Sequence, residues 1–191
     1  MSAGIPLEEL CQGLKASDRS AFEHLFRLFR QDLLRYVQSI VREGTVAHDL
    51  VQDVFVSLWG LRETLDPSQP LKPYLYRMAR NRAYRYLRDE RIHAEKHVLV
   101  QQGVVGQRPA VVEPDARFEE TVLCQQLHVW IADLPERQRE ALVLSRYHHL
   151  SHQDIAALMD ISPRTVNNHI MRALTALQNH IRAFEPTLLE P

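Results

Sequence analysis

Arg164, Thr165, Asn168 and Arg172 recur at intervals that place them on one side of a helix, with Met171 among them. Two guanidinium groups, an amide and a hydroxyl donate to phosphate oxygens and to base edges, which is the chemistry of holding DNA in a major groove. Val166, Ile170, Ala173, Leu174 and Leu177 fall on the opposite side and supply a core face. Ser162 followed by Pro163 predicts an N-cap with proline at the first helical position, and Ser151 with Asp154 predicts a capping box one helix earlier. Only Met159, Asp160 and Ile161 separate the two helices, which is helix-turn-helix spacing. A helical hairpin with a merely solvated polar face has the same periodicity. Agreement of both helix starts, the turn and the polar face favours DNA.

A second constellation lies between Leu71 and Arg91, where seven Lys or Arg face two Asp or Glu, a local balance of +5. A helix from about Pro73 to Arg91 turns Leu75, Ala79, Ala83 and Tyr86 inward and Arg77, Arg80, Asn81, Tyr84, Arg85 and Arg88 outward. Tyr74, Tyr76, Tyr84 and Tyr86 interleave with the arginines, and rings beside guanidinium groups suit a single strand whose bases stack while its phosphates are neutralised. Half-buried tyrosines beside a soluble arginine face fit the pattern equally well. Arg82 projects toward the apolar side and must either snorkel or pair with an acid.

The third constellation is on a helix spanning Val46 to Trp59. Leu50, Val51, Val54, Phe55 and Leu58 form its apolar face, and Asp49, Gln52, Asp53 and Val56 lie opposite. Both partner docking and simple solvation account for that acidic face with one valine in it. Asp49 and Asp53 have no histidine or third carboxylate at matching spacing, so metal or acid–base chemistry is not indicated.

The elements that position these residues are helical throughout. Residues 6–42 read as helix with a break at Ser17 to Ser20; Gly44 and Thr45 interrupt before the acidic helix; Pro67, Pro70 and Pro73 mark a turn-rich stretch. Periodicity fades from His97 to Pro114, a linker in which a short strand at Val98 to Val105 has no partner strand. Helix resumes near Asp115, covering Phe118, Val122, Leu123, Leu127 and Ile131, and Leu134 and Pro135 start another. The expected fold is all-α: two small helical domains, residues 1–96 and 115–185, joined by a flexible linker at residues 97–114, the second containing the helix-turn-helix.

Composition bounds the function. The chain has 191 residues, 45% of them hydrophobic, enough for a core in one or two domains, and a net charge of -1 that conceals the local basic patch. Cys11 and Cys124 stand far apart, and His148, His149 and His152 gather where one helix ends and the next is capped without a fourth ligand. No metal, cofactor or catalytic residue is indicated, and glycine-rich phosphate loops, GxSxG and HExxH are absent. The N-terminus has no secretory pattern and no stretch approaches the roughly 20 apolar residues of a bilayer span, so a cytoplasmic protein without direct membrane insertion is expected.

Three blocks then resemble, in order, the extracytoplasmic-function type of bacterial sigma-70 factors. DLVQDVFVSLW at Asp49–Trp59 resembles the family's core-polymerase-binding helix, YLYRMARNRAYRYLRDE at Tyr74–Glu90 its promoter-melting helix, and Leu134–Leu177 its second DNA-binding domain. The resemblance implies that Asp49, Gln52, Asp53 and Val56 dock on core RNA polymerase. It implies that the Thr64 to Pro70 loop, with Thr64, Asp66 and Ser68, meets minus-ten DNA together with Arg77, Arg80, Asn81, Tyr84, Arg85 and Arg88. Gln101 to Pro114 would thread toward the polymerase active centre. Arg164, Thr165, Asn167, Asn168, His169 and Arg172 would read the minus-thirty-five element of promoter DNA. An inhibitory anti-sigma factor, often membrane-anchored in this family, is a further implied partner, and no enzymatic activity is implied.

Two positions depart from the family pattern. Tyr74 stands where tryptophan is usual. Asn167, Asn168 and His169 stand where many relatives carry lysine, serine and arginine, which implies weaker phosphate affinity and a different site preference. The alternative reading is a LuxR-type helix-turn-helix regulator with an N-terminal sensor or dimerisation domain, against which stands the basic, tyrosine-rich Leu71–Arg91 segment. A helical adaptor without DNA binding leaves both that patch and the capped helices unexplained.

Overall fold

The structure, a computed structural model, describes residues 5–98 and 122–184, with the backbone alone for residues 94–98 and 122. The elements are α1 (Leu7–Lys15), α2 (Arg19–Val41), α3 (Gly44–Gly60), a 3-10 turn (Arg62–Thr64), α4 (Leu71–Val98), α5 (Val122–Asp133), α6 (Glu136–Arg146), α7 (His152–Met159) and α8 (Pro163–Phe184). Among the described residues there is no strand, so the chain is all-α. It divides into two compact units, Met1–Gln107 and Arg108–Pro191. No helix among the described residues is long and apolar enough to cross a membrane.

The first unit is built on α2, against which α1, α3 and α4 all pack. The break expected at Ser17 to Ser20 is there: Ser17 takes the left-handed conformation at φ 63°, and the Asp18 carboxylate accepts the Ser20 amide at 2.8 Å to start α2. Gly13 allows α1 to close on α2, since a Cβ at that position would lie 2.9 Å from the Ala21 Cβ. The second break differs from expectation. Gly44 begins α3, and the chain turns instead at Arg42, left-handed at φ 59° with its amide bonded to the Gln38 carbonyl at 2.9 Å, followed by extended Glu43. A glycine is the cheapest residue for that conformation but not the only one that adopts it, and here an arginine does.

Leu25, Phe29, Leu33 and Val37 of α2, Val51, Val54, Phe55 and Leu58 of α3, and Leu75, Ala79 and Ala83 of α4 are all buried. Phe22 and Phe26 meet Phe55 edge-on, with centroids at 6.3 and 4.8 Å. Tyr36 and Tyr76 are fully buried with their rings 5.3 Å apart, and burial pushes the Tyr76 phenol far above its usual range. Tyr76 is therefore core, not one of the rings open to a strand. Tyr86 is half-buried. α4 continues to Val98, past the expected end near Arg91, because Ala94, Glu95 and Lys96 favour helix though they add no apolar period. The expected linker start at residue 97 thus falls on the last turn of α4. The expected strand has its first residue, Val98, in that helix, and residues 99–105 lie outside the described residues, as do Asp115 and Phe118.

In the second unit α8 is the hub, packed by α5, α6 and α7. Val166, Ile170, Ala173 and Leu177 are buried as the period requires, and Leu174 is half-buried. They meet a core of Leu142, Leu144, Ile155, Leu158 and Met159. Both N-caps form: Ser151 Oγ accepts the Asp154 amide at 3.1 Å, and Ser162 Oγ accepts the Thr165 amide at 3.1 Å, while the Asp154 carboxylate accepts the Ser151 hydroxyl at 2.6 Å rather than the Ser151 amide of a full capping box. Between them Asp160 is left-handed at φ 56° and the Ile161 amide returns to the Ala156 carbonyl at 3.1 Å, which fixes the bend of the helix-turn-helix. Trp130 anchors α5 on α8, stacked on His180 at 5.4 Å and edge-on to Phe184 at 5.6 Å. Arg139 reaches back to the carbonyls of Ala132 and Leu134 at 2.8 and 3.1 Å, serving acceptors that the end of α5 leaves open.

Because Ser162 is the side chain that caps α8, Ser162→Ala is expected to lower the second unit's stability by about 1 kcal/mol and Ser162→Gly by only a few tenths. Chemical denaturation followed by circular dichroism checks this, and equal losses for the two variants would contradict a capping role.

Candidate nucleic-acid interface and docking face

The outward face of α8 starts at its capped end. Arg164, Asn167, Asn168 and Arg172 are exposed, and among the described residues neither arginine forms an ion pair. Their donors therefore point to solvent at the positions the sequence assigned. Thr165 is half-buried and its Oγ1 is 2.8 Å from Ser162 Oγ, so part of its hydroxyl capacity goes to the cap. His169 departs from the expected face. It is half-buried, with Nδ1 enclosed and without a protein hydrogen-bond partner among the described residues, because its position lies on the flank between the core and solvent faces. Met171 joins the face instead: it is 54% exposed amid asparagines and arginine, an apolar surface of the kind that meets a thymine methyl. The helical period places it on this face, although an apolar side chain adds no donor to it.

On α4, Arg77, Asn81, Arg85 and Arg88 are exposed, while Arg80 and Tyr84 are half-buried. Arginines and rings are already paired within the helix: Arg77 lies over Tyr74 at 5.8 Å and Arg80 over Tyr84 at 4.6 Å. The guanidinium groups hold the rings in place and leave positive charge above them. Arg88 is 3.5 Å from Asp89, both well exposed, a pair that solvent screens.

The stretch before α4 is ordered by its own polar side chains. Thr64 Oγ1 donates to the Leu61 carbonyl at 2.7 Å. The Asp66 carboxylate accepts the Ser68 amide at 3.0 Å and the Ser68 hydroxyl at 2.7 Å, and these bonds hold its carboxyl below the usual carboxylate range. Thr64, Asp66 and Ser68 are exposed, so the loop presents a preset shape to solvent. Arg62, which the sequence did not single out, ties this loop to the rest of the unit. It donates to Ser17 Oγ at 2.8 Å and the Trp59 carbonyl at 2.9 Å and lies 4.8 Å above the Trp59 ring. An isolated arginine beside a turn carries no sequence signal for such a role.

On α3, Asp49, Gln52, Asp53 and Val56 are exposed, Val56 at 70%. A valine that bare among carboxylates is an anchor waiting for an apolar counterpart or an isolated surface residue. Arg82 resolves its earlier alternatives by pairing. Its Nη1 is 3.0 Å from Asp53 Oδ2 and its Nη2 donates to Ser57 Oγ. Asp53 is therefore held by α4 rather than merely solvated. Among the described residues no group of three potential metal ligands occurs. His148 is buried whereas His149 and His152 are exposed.

Comparison with known proteins matches the sigma-70 region 2 model over residues 25–92 and the sigma-70 region 4 model over residues 124–177. The chain is similar to the sigma factor CarQ of Myxococcus xanthus, 31% identical over 147 residues, covering 76% of this chain and 80% of CarQ. It is also similar to the extracytoplasmic-function sigma factor SigM of Bacillus subtilis, 26% identical over 162 residues, covering 82% of this chain and 94% of SigM. Its fold is similar to that of Bartonella quintana RpoE, solved in complex with the anti-sigma factor NepR, at a TM-score of 0.68 and 24% identity over 84% of this chain and 96% of that one. CnrH, solved with the cytosolic domain of CnrY, gives 0.65 and 22% identity over 92% and 97%.

The Asp66 turn yields a pH dependence. Its carboxyl is depressed in the folded chain, so the bonds to Ser68 contribute above the ordinary aspartate value of about 3.9 and are lost as pH falls through the lower folded value. The Ser68 amide resonance is expected to titrate with a midpoint below that ordinary value. A midpoint at or above it would contradict the turn.

Proposed function

The chain belongs to the extracytoplasmic-function group of the sigma-70 family of bacterial RNA polymerase sigma factors, and on that premise we propose how its exposed faces divide the work. A sigma factor directs RNA polymerase to promoters and makes or breaks no bonds itself, so the chain is not an enzyme. Asp49, Gln52, Asp53 and Val56 dock on core polymerase. Residues 1–96 carry that docking and the recognition and opening of the minus-ten element, through Thr64, Asp66, Ser68, Arg77, Arg80, Asn81, Tyr84, Arg85 and Arg88. Residues 97–114 connect, and residues 115–185 read the minus-thirty-five element through Arg164, Thr165, Asn167, Asn168 and Arg172, with His169 at the flank. The protein works in the cytoplasm with its polymerase. Its activity is restrained by an anti-sigma factor, in keeping with the complex in which the similar Bartonella protein was solved.

The observation that best supports the division is the character of the outward face of α8. Amide and guanidinium donors stand exposed, without a partner among the described residues, on a helix whose start is capped, which is what base reading needs. A LuxR-type regulator would have the same helix, but it has no use for the ring-backed arginines of α4.

Within that face, amide and guanidinium groups have different tasks. Asn168 can pair bidentately with adenine, worth roughly 1–3 kcal/mol of discrimination, whereas Arg172, two turns beyond Arg164, holds a phosphate. Transcription by purified core polymerase with this protein, from promoters with a randomised upstream element, tests both the function and the division. Dependent transcripts are expected; Asn168→Ala should relax preference at one or two positions, and Arg172→Ala should weaken all sequences alike and lower the salt slope by about one. No dependent transcript from any promoter would overturn the function, and a reversed pattern between the two variants would overturn the division.

A further inference from the structure

Arg82 of α4 bonds across to α3, and it does so at the docking face. Its side chain is 29% exposed and Asp53's 59%, with Nη1 3.0 Å from Oδ2 and Nη2 on Ser57 Oγ. Asp53 and Ser57 are four residues apart, so the two prongs of one planar guanidinium grip successive turns of α3. We propose that Arg82 is a positioning residue for polymerase docking: it holds the Asp53 carboxylate in the orientation that the polymerase meets. The inference rests on the reading of Asp53 as a docking residue.

The physical grounds are those of preorganisation. An aspartate on a bare helix face samples several rotamers, and docking must freeze one of them. Arg82 freezes it in the free protein. A carboxylate accepts several hydrogen bonds, so occupation of Oδ2 by Arg82 leaves acceptor capacity for a donor on the partner. The half-exposed setting matters too, since a fully buried Asp53 could not be shared. A lysine cannot replace the fork, because an ammonium is a point charge without the planar two-pronged geometry.

The test is a double-mutant cycle on core-polymerase affinity, measured by titration without DNA so that no contact to a strand intervenes. Arg82→Gln is expected to weaken binding about fivefold to tenfold in the wild-type background and to have no further effect once Asp53→Asn is present. Arg82→Lys should recover only part of the loss, and Ser57→Ala, which keeps the charge pair but removes one prong, should lose less than Arg82→Gln. Additive losses in the cycle would mark a merely structural tie and overturn the proposal. So would unchanged or tighter binding by Arg82→Gln and Arg82→Lys alongside a weakened Asp53→Asn. If Asp53→Asn itself binds core as the wild type does, the docking reading fails and the proposal falls with it.

Discussion

The burial of one face each of α3 and α4 against α2 is the constraint on which the first unit depends. Leu33, Val37, Val54, Leu58, Leu75 and Ala79 are removed from water together, each leucine or valine contributing on the order of 1.5–3 kcal/mol. Once those faces are committed, the helices have no freedom left in rotation. The acidic side of α3 and the basic side of α4 are what remains, and their identities follow from residue spacing. Arg82, caught at the seam between them, does not remain a stray cation on an apolar flank but bonds to Asp53 and Ser57.

The second unit obeys a different constraint, that of helix ends. α7 has only eight residues and would not persist alone. Ser151 at its start and the left-handed Asp160 at its end serve amides and carbonyls that so short a helix leaves open, and Ser162 two residues later caps the start of α8. The same bonds set the angle at which α8 leaves the turn. Since Arg164, Asn168 and Arg172 ride on that helix, the direction in which their side chains project is decided by the caps as much as by the core.

Much of this was legible in the sequence where one residue type has one physical use. Ser162 before Pro163 could hardly be anything but a helix start, and the apolar period of α8 placed Val166, Ile170 and Ala173 inside. Positions at the boundary of a face were not. Tyr76 and Tyr84 are the same residue eight positions apart, yet one packs against Tyr36 in the core and the other lies beneath Arg80. His169 falls on the flank of its helix, where a small rotation decides between groove and core. Tertiary partners were equally out of reach: that Arg82 chooses Asp53, or that Arg62 reaches Ser17, depends on helices meeting that lie far apart in the chain. Propensity points to Gly44 for the turn, but the packing of α2 against α3 places it two residues earlier, at Arg42.

In the division of labour proposed for the first unit, the ring-backed arginine face of α4 handles DNA strands while α3 handles the polymerase. The most direct measurement compares Tyr84→Ala holoenzyme with the wild type on one promoter in two forms, fully duplex and already melted across the minus-ten element. If α4 acts in strand opening, the variant transcribes poorly from the duplex and regains most of its activity on the melted template, because the energy of unstacking has been supplied in advance. An equal loss on both templates would contradict the claim.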